Sequence, residues 1–420
     1  MKSLPRNMRL YLEAACHQLS VVQGFAQEES RVMSTRFSEE QIQFQDIVCK
    51  FAQRELSEGA LARANSTEYP WDVAEKAAQA GLLGIMFDEK HGGGGGSLVD
   101  AIIAIQSIAK YCPRSADVVQ AGNFGAIRTF AEYSTDEQKE RFLPALLSGQ
   151  SIMSVGMTEP QAGSAVTDIK TTAVLDGDKY RVNGTKIFGT HSSEADVFLV
   201  YVRFDKGVNG IGAILVEKGT PGFEVGQPSA FMNGEHWSQL YFDNCEVPKE
   251  NLLLGVGGFK KQISGFNVER LGNAARAVAL GRHAFDHARD YALVREQFDK
   301  PLCEFQGIQW KFADMEVRLR GAQNLLMEAA FNAGDGLPSP QDTAIAKLAC
   351  NEAGFFAANE AMQVMGGLVF SEERMVQYCF RRTRGWMIAG GSIEILKNRI
   401  AEGIFERRFS QRGEQRIAAE

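Results

Sequence analysis

Two short polar stretches carry the side chains best suited to hold a small ligand. Met157-Thr158-Glu159-Pro160-Gln161-Ala162-Gly163-Ser164-Ala165 sets hydroxyls and glycine-type N–H groups around a proline-fixed turn. Asn183-Gly184-Thr185-Lys186-Ile187-Phe188-Gly189-Thr190 reads as an Asn-Gly hairpin running into an aromatic ring and a hydroxyl. Each lies beside a hydrophobic strand pattern, and together they suit the wall of a pocket for a planar polar ring. Gly-Ser turns also serve any β-structure, so either stretch alone leaves both readings open.

Other candidates are weaker. His283 and His287 stand one helical turn apart, which puts two imidazoles on one face. No third ligand accompanies them, so a packing or solvated role is expected, and no metal site. Glu269-Arg270 opens a helix, where the arginine suits an anionic ligand; as a bare dipeptide it reads as a surface ion pair. The run 92–96 is five glycines with no Lys-Ser/Thr after it, so it reads as a flexible loop rather than a phosphate cradle. The sequence has no G-x-S-x-G elbow, P-loop or G-x-G-x-x-G turn, so an organic cofactor is not held on a Rossmann turn.

The elements around these residues change period twice. From 38 to about 149 the pattern is helical: Ser38 caps a run with Ile42, Phe44, Ile47, Val48 and Phe51 at helical spacing, and 71–80 and 98–111 repeat it. From 151 to about 255 the period is two, with strands at 171–175, 179–182, 197–201, 212–216 and 239–244 and turns at Asp176-Gly177-Asp178 and Asn183-Gly184. From 259 to about 409 long helices return, through 274–292, 310–329, 344–364 and 393–404, broken at Pro338-Ser339-Pro340 and Gly366-Gly367. Strands without intervening helices suggest a small antiparallel barrel or sandwich. The fold class is α+β, mostly α, divided at 33–150, 151–256 and 257–409, with a tail at 410–420.

The 420 residues are 45% hydrophobic and 23% charged, with net charge −7, ordinary for a soluble globular enzyme. The acidic balance and the lack of a basic tract argue against nucleic acid or an anionic membrane as partner. No apolar run approaches the length of a membrane helix. Seven scattered cysteines fit a reducing, cytoplasmic setting. In residues 1–32, Glu13 and the Glu28-Glu29 pair argue against a transit peptide, and with no apolar core in view a secretory signal is not expected. The expectation is a native start at Met33, with the codons of Gln27-Glu28-Glu29 supplying a purine-rich ribosome-binding sequence; the mass of the native N-terminus decides it.

Seven segments in order resemble one family. They are Met157-Thr158-Glu159-Pro160-x-Ala-Gly-Ser, Asn183-Gly184-x-Lys186 to Thr190, Phe242-Asp243-Asn244 to Val247-Pro248, and Gly258-Phe259-Lys260 to Arg270. Arg295-x-x-Phe298 with Phe305-Gln306, Gln363-x-x-Gly366-Gly367, and Gly390-Gly391-Ser392-x-Glu394-Ile395 complete the set. Over residues 37–409 the chain resembles the acyl-CoA dehydrogenases. The resemblance implies an N-terminal helical domain, a middle antiparallel β-barrel domain and a C-terminal four-helix bundle, assembled as a homotetramer or homodimer. It implies FAD, an acyl-CoA substrate, α,β-dehydrogenation of the thioester, and electrons passed to an electron-transfer flavoprotein.

Residue roles follow from the same resemblance. Met157, Thr158, Gly163 and Ser164 would line the flavin, with Ser164 also near the CoA. Phe188 takes the place of the usual Trp, beside Gly189, and Thr190 would donate to flavin N5. Arg295, Phe298, Gln306, Gln363, Gly366 and Gly367 would hold the ADP half across a subunit boundary, and Ser392 and Glu394 belong to the last cofactor segment. Asn267 and Arg270 fall where CoA contacts occur. Many members carry their catalytic Glu where Gly390 stands here. A subgroup resembling the long-chain and isovaleryl enzymes takes it from the Glu-Arg helix, which assigns the base to Glu269. The Gly390 N–H and a flavin ribityl hydroxyl would then hold the enolate oxygen.

Four positions depart from the family pattern: Ala165 for Asp, Gly189 for an apolar residue, Asp299 for Gly and Arg382 for Asp. The first two would touch the flavin's reactive side, where Gly189 means either a wider cavity or a local repacking. The other two would bear on the subunit contact and leave the chemistry alone. Ala165 with Gly390-Gly391-Ser392 also resembles family relatives such as desulfinases, lyases without net oxidation; retention of Glu269 favours oxidation.

Overall fold

The computed structural model describes residues 37–410; the 1–32 segment, Met33 and residues 411–420 of the tail lie outside the described residues. The chain divides into two compact units, Met1–Val48 and Cys49–Glu420. In the first, Ser38 and Gln41 cap the start of α1 (Glu39–Glu55) by exchanging backbone-to-side-chain hydrogen bonds of 3.2 Å. All that follows concerns the second.

Six more helices precede the sheet: α2 (Ala60–Asn65), α3 (Trp71–Gln79), α4 (Leu98–Ala109), α5 (Pro113–Ala121), α6 (Gly125–Tyr133) and α7 (Asp136–Leu147). Their starts follow local chemistry. Ser97 with Asp100 and Thr135 with Gln138 form capping boxes that satisfy otherwise orphaned N–H groups at α4 and α7. Pro113 sits in the first turn of α5, where a missing N–H costs nothing. The glycine run is not a flexible loop. All five N–H groups of 92–96 donate to backbone carbonyls, and a Cβ on Gly93 would lie 2.2 Å from the Phe87 carbonyl oxygen. The same bonds leave no amide free to cradle a phosphate.

The middle of the chain forms a nine-stranded sheet from β1 (Met153–Gly156), β2 (Thr172–Asp176), β3 (Lys179–Thr190), β4 (Val197–Arg203), β5 (Ile211–Glu217), β6 (Phe223–Val225), β7 (Ser229–Ala230), β8 (His236–Pro248) and β9 (Leu252–Leu254). The order is β6-β8-β3-β2-β4-β5-β9, with β1 joined parallel to β4 and β7 antiparallel to β8. The expected antiparallel barrel is therefore corrected on two points. The sheet is mixed, since β2 also meets β4 in parallel at Thr172 and Arg203, and it stays open, since β6 and β9 do not pair.

Alternation explains the open form. Val197, Leu199, Tyr201, Ile211, Ala213 and Leu215 face a core shared with Ile127, Phe130, Phe142 and Leu143 of the helices. The alternate residues Phe198, Val200, Val202, Ile214 and Val216 face Ala173, Val182, Leu240 and Phe242. β4 and β5 are thus buried on both faces, and each such side chain contributes about 1.5–3 kcal/mol. One face of the sheet serves the helices instead of an enclosed barrel interior.

A second correction concerns Asn183-Gly184. It is not a hairpin turn but lies inside β3, at a register shift against β8 between Val182 and Gly184. Gly184 has φ 146°, and a Cβ there would lie 2.4 Å from the Thr171 hydroxyl, so the Asn-Gly pair marks a bulge. The hairpin turn is Gly177-Asp178, closed by the Asp176–Lys179 pair.

Beyond the sheet, α8 (Phe259–Val294) leads to the β10–β11 hairpin (Glu296–Gln297, Lys300–Pro301), then α9 (Gln306–Ala333), α10 (Pro340–Met365), the short α11 (Gly367–Phe370), α12 (Met375–Trp386) and α13 (Ile393–Ile404). α10 packs against α8, α9, α12 and α13. Gly281 and Gly354 let α8 and α10 approach at backbone contact: a Cβ on Gly354 would lie 2.2 Å from the Ala277 carbonyl oxygen. His283 and His287 sit in this packing, rings 4.4 Å apart, with His283 buried and its Nδ1 3.1 Å from the Lys110 carbonyl. Among the described residues no helix is long and apolar enough to cross a membrane.

Candidate functional site

The two polar stretches lie side by side because β3 runs next to the turn that follows β1. The Ile187 N–H donates to the Thr158 carbonyl at 2.9 Å, and the Ser154 hydroxyl donates to the Thr190 carbonyl at 2.9 Å. Between them is a buried ion pair that residue patterns alone did not single out. Lys186 Nζ lies 2.7 Å from Glu159 Oε1 and donates to the Met157 carbonyl at 3.3 Å. Glu159 also accepts from the N–H groups of Lys170 (2.6 Å) and Thr171 (3.0 Å). Desolvation works against the Glu159 carboxylate, but Lys186 and these donors outweigh it and hold its pKa at about 2. Burial pulls the Lys186 ammonium down to about 8.

On the outer side of this knot, Gly163, Ser164, Phe188 and Thr190 are exposed, while Met157 and Thr158 are half-buried. Phe188 holds a positive φ (60°) inside the second register shift in β3, between Lys186 and Gly189, and His191 (58°) follows directly after the strand. The Phe188 ring stands 4.6 Å from Trp237 and 6.4 Å from Phe231, an aromatic patch beside a row of hydroxyls. Gly189 is buried, and a Cβ there would lie 2.9 Å from the Val155 carbonyl oxygen and 3.3 Å from Ser154 Oγ. Glycine is thus a close-packing requirement at 189, not an opening. Gly189→Ala is expected to cost about 1–3 kcal/mol, read as a lowered urea midpoint at unchanged slope.

Glu269 projects from α8 toward α5 and α6. Gln120 Nε2 donates to both carboxylate oxygens, at 2.7 and 2.8 Å, and Asn273 Nδ2 donates to Oε1 at 2.8 Å. Burial raises the Glu269 pKa above the ordinary carboxylate value; Arg276, the Gln120 amide, Arg382 and the Gly125 backbone pull it back. This is a half-buried carboxylate held by neutral amide donors, not a surface ion pair with its neighbour. Neither partner was named from the sequence: the i+4 spacing of Asn273 could have signalled it, whereas Gln120, 149 positions away, carried no local signal.

Arg270 turns the other way. Its Nε donates to the Gly390 carbonyl at 3.0 Å, and its Nη1 to Asn267 Oδ1 at 2.9 Å. Asn267 itself is 2% exposed and serves as an acceptor for Arg270. Lys347, fully buried, donates to the Gly391 and Trp386 carbonyls at 3.1 Å each. With φ of 71° and 95°, Gly390 and Gly391 make a turn whose carbonyls are drawn into the protein. Ser392 stands at the N-cap position of α13 without a side-chain capping bond, and Glu394 is exposed in the first turn.

The remaining sequence-derived residues lie at the surface. Arg295, Phe298, Gln306, Gln363, Gly366 and Gly367 are all exposed, Phe298 by 89%. Phe298 and Asp299 form the β10–β11 turn with φ of 52° and 62°, a left-handed pair in which Asp is tolerated where Gly is easier. Arg382, expected at the subunit contact, is not there. It is 8% exposed, inside the chain, paired with Glu235 and Asp117.

Three family models cover almost the whole described chain. They are the acyl-CoA dehydrogenase N-terminal domain over residues 38–150, its middle domain over 154–245 and its C-terminal domain over 257–405. The chain belongs to the acyl-CoA dehydrogenase family. It is 33% identical over 378 residues to a short-chain-specific acyl-CoA dehydrogenase of Clostridium acetobutylicum, covering 89% of this chain and 100% of the relative. It is 31% identical over 382 residues to a 3-sulfinopropanoyl-CoA desulfinase of Paraburkholderia xenovorans, covering 89% and 97%. A chain in the structure described as the electron transferring flavoprotein of Acidaminococcus fermentans superposes with TM-score 0.83 and 31% identity, covering 88% of this chain and 98% of that one.

Family members are oxidoreductases, and the family implies a flavin cofactor. The residues present fit such a group. The Phe188 and Trp237 rings offer an apolar face, Thr158, Ser164 and Thr190 offer hydroxyls at its edge, and at Gly163 even a Cβ would meet nothing within 4 Å.

Proposed function

We propose that this acyl-CoA dehydrogenase family member is an FAD-dependent enzyme that removes hydrogen across the α,β-bond of an acyl-CoA thioester, with Glu269 as base. The single observation carrying this is the setting of Glu269: a carboxylate with a raised pKa, fixed by Gln120 and by Asn273, whose Nδ2 would lie 3.7 Å from a Cβ on Gly390. A thioester α-C–H is a very weak acid, so its removal needs both a base within reach and a donor for the developing enolate oxygen. Glu269 takes the α-proton. The Gly390 N–H serves as the donor, on a turn that Arg270 and Lys347 steady through its carbonyls. A bound flavin supplies the acceptor for the β-hydride.

In this reading Met157, Thr158, Ser164, Phe188 and Thr190 hold the ring, and Arg270 steadies the turn while its flank meets CoA. Arg295, Phe298, Gln306, Gln363, Gly366 and Gly367 take the ADP half across a subunit boundary of a homodimer or homotetramer; their shared exposure supports this. An electron-transfer flavoprotein as acceptor is supported by the Acidaminococcus likeness. The desulfinase relative supports a second reading, loss of sulfinate from a 3-sulfinoacyl-CoA without net oxidation.

Anaerobic mixing with a panel of saturated acyl-CoAs separates them. The expected result is bleaching of the flavin by at least one thioester. No bleaching with any of them, together with consumption of 3-sulfinopropanoyl-CoA, overturns dehydrogenation in favour of the lyase.

A further inference from the structure

Beneath Glu269 lies a buried polar cluster that the proposed chemistry does not use. Arg114 and Asp117 come from α5, Arg276 from α8, Tyr378 and Arg382 from α12, and Glu235 from the segment before β8. Arg276 Nη1 lies 2.6 Å from Asp117 Oδ1, Arg114 Nη1 lies 2.6 Å from Glu235 Oε1 and 3.5 Å from Asp117, and Arg382 reaches both acids. The Tyr378 hydroxyl donates to Asp117 at 2.7 Å. Arg276 and Arg382 both lie over the Trp386 ring, at 4.3 and 4.7 Å.

Charge decides what this arrangement requires. Three guanidiniums face two carboxylates, an excess of one positive charge in a region closed to water, where an uncompensated charge is costly. The helices bring a third carboxylate to it by two parallel bridges. Asp117 of α5 binds Arg276 of α8, and one turn along α5 and two turns back along α8 Gln120 binds Glu269. We infer that Arg114, Arg276 and Arg382 with Asp117 and Glu235 form the counter-charge of Glu269, with Arg276 and Arg382 as positioning residues that keep the base ionised. This rests on the reading of Glu269 as base and goes beyond it, because two of these arginines enter only through the tertiary fold.

The other groups near Glu269 do not supply that charge. His191, 3.7 Å from Glu235, is driven neutral by burial, and burial and Asp117 keep Tyr378 protonated. Arg270 is turned toward Asn267 and the Gly390 carbonyl. Burial and Arg270 bring Lys347 down to about 7, so it is charged fully only on the acid side of that value. The sign is therefore set by the cluster. Glu269 must be deprotonated to act, so the rate falls as pH drops through its raised pKa; losing Arg276 raises that pKa further, and losing the Asp117 charge lowers it.

The test titrates Glu269 in the resting holoenzyme by infrared difference spectroscopy, its carboxyl band identified by loss in Glu269→Gln. In parallel, the pH profile of the flavin-bleaching rate is measured. Arg276→Gln is expected to move both midpoints up by about one pH unit, a tenfold change in proton affinity. Asp117→Asn is expected to move them down, and Arg276→Lys, which keeps the charge, to restore the wild-type value. Opposite signs cannot arise from general loosening of the fold. An infrared midpoint that stays put in both charge-removing variants overturns the inference. Should Arg276→Gln not fold, Asp117→Asn and Arg276→Lys decide it by the same rule. An infrared midpoint that shifts while bleaching is indifferent to Glu269→Gln overturns the base assignment alone and leaves the coupling standing.

Discussion

Glu269→Gln is expected to slow anaerobic flavin bleaching by about 10²–10⁴-fold, the range for loss of a positioned general base, while flavin stays bound. The substitution is nearly isosteric, and the site can absorb it. Gln120 now donates to both Glu269 oxygens, and its own Oε1 is buried with no hydrogen-bond partner. Turning the Gln120 amide over presents that oxygen to the new amide group, so the pocket keeps its hydrogen bonds and loses only the base. Glu328→Gln is the control, since Glu328 is exposed on α9 and belongs to no part of the candidate site. Equal bleaching in Glu269→Gln and wild type would falsify the assignment.

Lys186→Met is expected to give the largest loss of stability. It leaves the Glu159 carboxylate, 3% exposed, with amide donors alone, and breaking a buried pair from one side costs about 3–5 kcal/mol. The turn carrying Met157, Thr158 and Ser164 hangs from that pair, so flavin content should fall with the unfolding midpoint. Adding Glu159→Gln to Lys186→Met removes the stranded charge and should recover part of the loss. Acid acts like the single variant in its sign. The Glu159 pKa is depressed in the folded chain, so its stabilisation is present above about pH 4.5 and is lost as pH falls toward 2. Denaturant titrations from pH 7 downward check this; a double variant no more stable than Lys186→Met would show that the pair is not the support.

The sequence by itself determined the order helices, sheet, helices. Periodicity is a local property, and each helix and strand buries a face that its own residues define. The final helix 393–404 and the strands 197–201 and 212–216 were legible for that reason. Asn183-Gly184 misled because an Asn-Gly pair satisfies a turn and a bulge equally; only pairing with β8 chose between them. The glycine run misled because glycine permits flexibility and close packing alike, and only Phe87 and Ile85 show that this run is packed.

What tertiary structure alone decided is electrostatic. Glu269 was nameable from its motif, but Gln120 reaches it from 149 positions earlier, and Arg382 reads as a departure at the subunit contact until α12 carries it to Asp117 and Glu235. Lys186 and Glu159 likewise stood in two separate motifs with nothing to say they touch. Hydrophobic pattern repeats along the chain and can be read there; the pairing of buried charges depends on which helices meet, and that is settled only when the chain closes.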